Sequence, residues 1–119
     1  MTEAVHWVLA TKIKDGKYED LVALMNEMVT ATETDEPGTT HYEWFVNDGK
    51  DVCHVYERYE SSAATMVHLG NFDAKFAKRF MGCLEPTGMT VYGNPDETVR
   101  KALATMGAVH MDFLGGFSR

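Results

Sequence analysis

Phosphate-binding machinery is missing first. The chain has no glycine-rich nucleotide fingerprint, no P-loop, no GxSxG elbow and no HExxH pair. Nucleotide and dinucleotide chemistry therefore has no visible cradle. Cysteine is scarce: Cys53 and Cys83 form neither a CxxC pair nor a disulfide framework. Both thiols read as free, which makes the reducing cytoplasm the simplest location. Without a CxxC partner for either, thiol catalysis is disfavoured. Positive charge is also short, with 11 Lys and Arg against 18 Asp and Glu, a net −7. Without a basic cluster, nucleic acid is excluded as a partner and a strongly acidic substrate is disfavoured. Apolar runs stop after a few residues, far below the roughly 20 of a membrane helix. The N-terminal stretch alternates in polarity and reads as a strand, not a signal peptide.

What is present fits one globular domain. The 119 residues are 45% hydrophobic and 24% charged. A chain of this size buries about two thirds of its unfolded surface. A small-molecule pocket in so small a core is costly, and covering a sheet face with a second copy would offset that cost.

The polarity pattern gives the elements. Ala4 to Lys14 alternates with period two, a strand. Asp15-Gly16 ends it and offers a cap for the next element. Over Lys17 to Thr34, Tyr18, Leu21, Val22, Met25, Met28, Val29 and Thr32 recur at helical spacing. Glu19 and Asp20 lie in the first turn, where the helix dipole favours negative charge. Pro37-Gly38 breaks the chain. Thr39 to Asn47 and Val52 to Tyr59 are rich in β-branched and aromatic residues and flank an Asp-Gly turn, so they form a hairpin. Ser61 caps a short helix to about Leu69. Gly70-Asn71 interrupts it, and Asp73 caps a second piece ending at Gly82. Glu85 to Gly88 is an entry turn or bulge before a strand from Met89 to Gly93. Asn94-Pro95-Asp96-Glu97 starts another helix with Asn at the cap, and a short strand over Ala108 to Asp112 completes the pattern. The order is βαββαβ plus an appendage, the split βαβ pattern of an α+β, ferredoxin-like protomer. Its antiparallel sheet carries helices on one face and leaves the other bare.

Five histidines are the most noticeable polar resource: His6, His41, His54, His68 and His110. No two lie four apart on one helix, so no metal site is expected. His68 sits on a helix that packs on the sheet. It is either a half-buried hydrogen-bonded core residue or a proton-handling group at a pocket, where an ordinary pKa near 6.5 suits a phenol or quinol. Tyr42, Trp44, Tyr56, Glu57 and Tyr59 fall on the hairpin as neighbours across strands, which plain packing also explains. Glu57 either pairs with an arginine or orients His68. The eight methionines either fill the core or line an adaptable apolar pocket.

Glu36-Pro37-Gly38-Thr39 leading to Tyr42-Glu43, then Val55-Tyr56-Glu57-Arg58-Tyr59, then His68-Leu69, resembles the antibiotic biosynthesis monooxygenase family. The resemblance runs from about residue 4 to residue 93. It implies a ferredoxin-like domain over 1–93 that pairs into a dimeric α+β barrel, with residues 94–119 as a helix-and-tail extension on the same domain or the partner. It also implies a pocket between sheet and helices in each protomer. There, a small aromatic quinol or phenol would be oxidised by O₂ with no cofactor and no metal. By the same resemblance His68 is the base or proton relay, Glu57 supports it, and Tyr42 lines the pocket. Trp44 and Tyr56 are added as substrate-binding residues from parity and aromatic character. Haem is disfavoured, because related haem-degrading barrels use an Asn on the first strand and Val5 to Lys14 has none. Two other readings stay open on the same scaffold: a binding barrel without catalysis, and an isomerase or decarboxylase using His68.

Overall fold

The computed structural model describes residues 3–119. The elements run β1 (Val5–Ile13), α1 (Tyr18–Asp35), β2 (Thr39–Val46), β3 (Val52–Tyr59), α2 (Ser62–Lys75), α3 (Ala77–Cys83), β4 (Leu84–Gly93), α4 (Glu97–Ala104) and β5 (Ala108–Met111). The strands form one sheet in the order β2-β3-β1-β4-β5. All pairings are antiparallel except β4 with β5. This is the expected ferredoxin-like α+β sheet, widened by one parallel strand from the extension.

Strand periodicity divides the sheet into two faces. Val5, Trp7, Leu9, Thr11 and Ile13 of β1 are buried, as are Cys53, Val55, Glu57 and Tyr59 of β3 and Met89 and Val91 of β4. Over this face lie Leu21, Leu24 and Met28 of α1, Phe80 of α3, and Val99 and Leu103 of α4. On the other face are His6, Val8, His54, Tyr56, Arg58 and Tyr92, half-buried or exposed. No helix of the described residues is long and apolar enough to cross a membrane.

The local expectations differ from the structure at several element ends: Asp73 lies inside α2 and caps nothing, α3 starts at Ala77 without a side-chain cap, and β4 starts at Leu84 and not at Met89. Gly70-Asn71 does not interrupt α2, which continues to Lys75 and breaks at Phe76. A helical glycine costs about 1 kcal/mol relative to alanine, which packing overrides here. α4 is capped by Asp96, whose carboxylate accepts from the Val99 amide at 3.0 Å, and not by Asn94. α1 has no side-chain cap; Lys17 occupies that place. The anticipated bulge is real: the β1–β4 register shifts between Ala10 and Thr11, opposite Gly88 and Pro86.

One turn has a direct bearing on the site. A Cβ on Gly38 would lie 2.6 Å from the Ala64 Cβ, so glycine lets the Pro37-Gly38 turn pack against α2. That approach carries Glu36, at the end of α1, to the middle of α2.

Candidate functional site

The centre of the site is a row of three charged side chains. His68 projects from α2 into the layer between helices and sheet and is 5% exposed. Its Nδ1 donates to Glu36 Oε1 at 2.8 Å. Its Nε2 lies 3.2 Å from Glu57 Oε1, on β3. Glu36 and Glu57 are equally buried, at 6% and 5% exposure. Glu36 is held further by Thr39 Oγ1 at 3.0 Å and by Asn71 Nδ2 on its second oxygen at 3.1 Å. The Tyr59 hydroxyl donates to Glu57 Oε1 at 2.5 Å. Both contacts to Glu57 fall on one oxygen, leaving Oε2 outside them.

Burial disfavours a charged His68 ring, but its bonds to Glu36 and Glu57 and their charges outweigh this and push its pKa up to about 9. Burial likewise raises the Glu36 carboxyl, and the bonds from His68, Asn71 and Thr39 reverse it, leaving the group below its ordinary value. Near neutral pH His68 is therefore an imidazolium held by the Glu36 carboxylate. An imidazolium has no free lone pair. In this state His68 has no site left to accept a further proton.

Two phenols flank the ring: Tyr42 with its centroid at 5.3 Å and Tyr59 at 5.2 Å. Burial, then the Glu57 and Glu36 charges, raises the Tyr42 pKa well above its ordinary value. Burial and Glu57 do the same to Tyr59. Both stay neutral and can only donate or accept hydrogen bonds.

Against this row lies an apolar cavity of about 60 Å³. Glu57, His68 and Tyr42 line it together with Trp7, Val55 and Met28. It adjoins an open groove of about 560 Å³ bounded by Ala102, Thr105 and Asp73. Leu9, Leu69, Phe72, Met81, Pro86 and Met106 belong to both spaces. A cavity that holds a benzene ring is about 150 Å³, so the inner space admits only the end of a larger ligand unless Met81 and Met106 move aside. Both are unbranched, flexible and about half-exposed.

Of the residues singled out from the sequence, His68, Glu57 and Tyr42 come together. Trp44 does not reach the cavity wall; it packs edge-on between Tyr42 at 5.9 Å and Phe80 at 6.0 Å. Tyr56 requires a correction as a wall residue. As a neighbour of Glu57 on a strand it points to the opposite face, where its hydroxyl lies 3.2 Å from His6 Nδ1. Glu57 contacts His68 and not an arginine. Glu36 was legible only as part of a turn motif, yet it holds His68 from the other side. The available signal was a carboxylate at a helix C-terminus, where the dipole disfavours it unless a cation or donors compensate. Trp7 carried no signal beyond strand parity, and Asn71 read as a helix break, although it lies inside α2. Cys53 is pushed up to about 11 by burial and remains a thiol. Among the described residues no group of three or more His, Cys, Asp or Glu is placed to hold a metal ion. The two carboxylates occupy opposite nitrogens of one ring and do not converge.

Fold and site together define a ferredoxin-like protein with a buried Glu–His–Glu row at the end of an apolar cleft. The chain belongs to the antibiotic biosynthesis monooxygenase family, whose profile matches residues 4–79. That membership carries a coarse monooxygenase-like or small-molecule-binding role. The structure of MupZ from Pseudomonas fluorescens is 22% identical and superposes with a TM-score of 0.85, covering 98% of this chain and 95% of that one. A conserved protein from Methanosarcina mazei Go1 is 16% identical with a TM-score of 0.67 over 76% of this chain and 92% of its own. Rv0793 from Mycobacterium tuberculosis is 25% identical with a TM-score of 0.60 over 79% and 97%. No curated protein matches the sequence. The MupZ likeness takes in nearly the whole chain, α4 and β5 included, while the other two cover 76% and 79% of it.

Proposed function

We propose that the chain is a cofactor-independent monooxygenase that oxidises a small phenol- or quinol-like aromatic with O₂. The observation that carries this is the Glu36–His68–Glu57 row, buried at the inner end of an apolar cleft. Such a place favours removal of a phenolic proton away from water. Glu57 takes the proton, and His68, held by Glu36, balances the charge. The phenolate then gives one electron to O₂, and the resulting radical pair joins at a ring carbon that bears two hydrogens in the keto form. One oxygen atom stays as a carbonyl and the other leaves as water. The substrate carbon, passing from CH₂ to C=O, supplies all four electrons that reduce O₂.

The working unit in this reading is a homodimer. The helix-free sheet face exposes Phe45, Val109 and Met111, with Phe113 and Leu114 just past β5. A second copy would cover them and complete the α+β barrel. A sedimentation mass near that of one chain at micromolar concentration overturns this part.

The activity is tested by O₂ consumption with a panel of hydroquinones and anthrone-like phenols. Glu57→Gln is expected to lower turnover by about 10²-fold, the usual contribution of a general base. No O₂ uptake above the uncatalysed rate, or uptake undiminished in His68→Ala, overturns the reading. A second reading rests on the same row, since a proton relay needs no O₂ to isomerise a substrate. Product formed at equal rate under anaerobic conditions favours it. A bound small molecule retained unchanged in air favours a binding barrel instead.

A further inference from the structure

Trp7 stands out among the residues of the inner cavity. It is 1% exposed, lies on β1 directly opposite Glu57 of β3, and lines the same cavity as Glu57 and His68. Its ring packs on Tyr59 with centroids 5.0 Å apart. Its Nε1–H is buried and has no acceptor among the described residues. A buried tryptophan ordinarily finds an acceptor for that hydrogen. Here it does not, although a carboxylate sits on the neighbouring strand.

The inner space fixes what could meet this donor. It is too small for a ring and accepts a head group of a few heavy atoms, while the adjoining groove takes an apolar body. The Glu57 carboxylate, an acceptor, and the Trp7 side chain, which carries the unpartnered donor, both belong to the wall of that space. A hydroxyl on an aromatic carbon answers both, because its hydrogen points to Glu57 and its oxygen accepts from Trp7. When the proton passes to Glu57, the electron pair stays on the oxygen, and the same N–H then faces an anion. Donors aimed at developing charge in a dry site are worth most.

We propose that Trp7 is a ligand-binding residue whose indole N–H grips the phenolic oxygen of an elongated apolar ligand and holds it as the proton leaves. Glu57 and His68 handle the proton; Trp7 reads the oxygen. This deepens the monooxygenase reading but needs no turnover, so the two fail separately.

The test uses two probes of nearly equal shape, 4-ethylphenol and 4-ethyltoluene, titrated into the intact protein labelled with ¹⁵N. The chain has two tryptophans, so two indole N–H resonances report, assigned with Trp44→Phe. The expected result is a downfield shift of the Trp7 indole proton with 4-ethylphenol and none with 4-ethyltoluene. Trp7→Phe is expected to lose about tenfold of the preference for the phenol, on the scale of one hydrogen bond to a charged group. An equal response to both probes, no response at saturation, or an unchanged preference in Trp7→Phe overturns the proposal. The wild-type titration decides alone if the variant does not fold. O₂ uptake without the indole shift sinks this inference and leaves the enzyme standing; the shift without O₂ uptake does the reverse.

Discussion

The two faces of one sheet are made from alternate residues of the same strands, and they differ in every physical respect. On the helix side of β3, Val55, Glu57 and Tyr59 are sealed from water. One residue away, His54 is exposed, and Tyr56 and Arg58 are half-exposed. The helix face therefore bears a full desolvation penalty for each polar group it holds. It keeps Glu57 only because His68 and Tyr59 compensate it. The opposite face tolerates His6, His41 and Arg58 without comparable partners, since water screens them. Polar residues on the sealed face are costly, and the Glu36–His68–Glu57 row is held there by mutual compensation.

Substitutions separate the faces, beginning with the row itself. Glu36→Leu leaves the His68 imidazolium with one carboxylate instead of two. We expect a loss of about 3 kcal/mol in urea unfolding at pH 6, whereas Glu43→Leu on the other face should change stability by less than about 0.5 kcal/mol. An equal cost for both would abolish the distinction.

The pH dependence sharpens it further. The folded pKa of His68 is raised from 6.5 to about 9, against burial, by Glu36 and Glu57. Its stabilising contribution is complete below 6.5 and is lost as the pH rises through 9. Glu36 runs the other way: its pKa is lowered from 4.5, so its contribution is present above that value and fades as the pH falls. Stability is expected to be highest between these limits and to fall by on the order of 3 kcal/mol from pH 6.5 to beyond pH 9. His68→Gln should flatten the alkaline limb in a urea-denaturation series. A limb unchanged in that variant would assign the titration elsewhere.

Smaller effects belong to plain packing. Val55→Ala, on the sealed face, removes two methyl groups and should cost about 2 kcal/mol including the cavity left behind. Val109→Ala, 59% exposed on the open face, should cost less than about 0.5 kcal/mol in a dilute monomer. A larger cost that grows with protein concentration would locate Val109 in a subunit contact.

Much of the fold was legible before the structure, for definite reasons. β1 and α1 announced themselves because their burial is one-sided, so the 2.0 and 3.6 periods survive in the order of residues. The Asp-Gly turn named the hairpin. The helix over Gly70-Asn71 was hidden, because local propensity argues for a break and only packing overrides it. Asn71 then serves from inside that helix, donating to Glu36. Of the site, His68, Glu57 and Tyr42 were reachable through an ordered motif. Parity alone separated Tyr56 from them, and Trp44 was placed on the correct face but one layer behind the cavity.

Residue order by itself determined which side each strand residue faces, where helices lie, and how little charge the core must bury. Those properties are local, set by side-chain period and turn chemistry. Tertiary structure decided which groups meet. Glu36 and His68 are 32 positions apart and join at 2.8 Å. They meet because Gly38 lets a turn press against α2. The protonation of His68 is likewise a property of the fold, because it depends on two carboxylates and on the water excluded around them. Contact across distant chain segments, and the dielectric it creates, has no counterpart in the pattern of any single element.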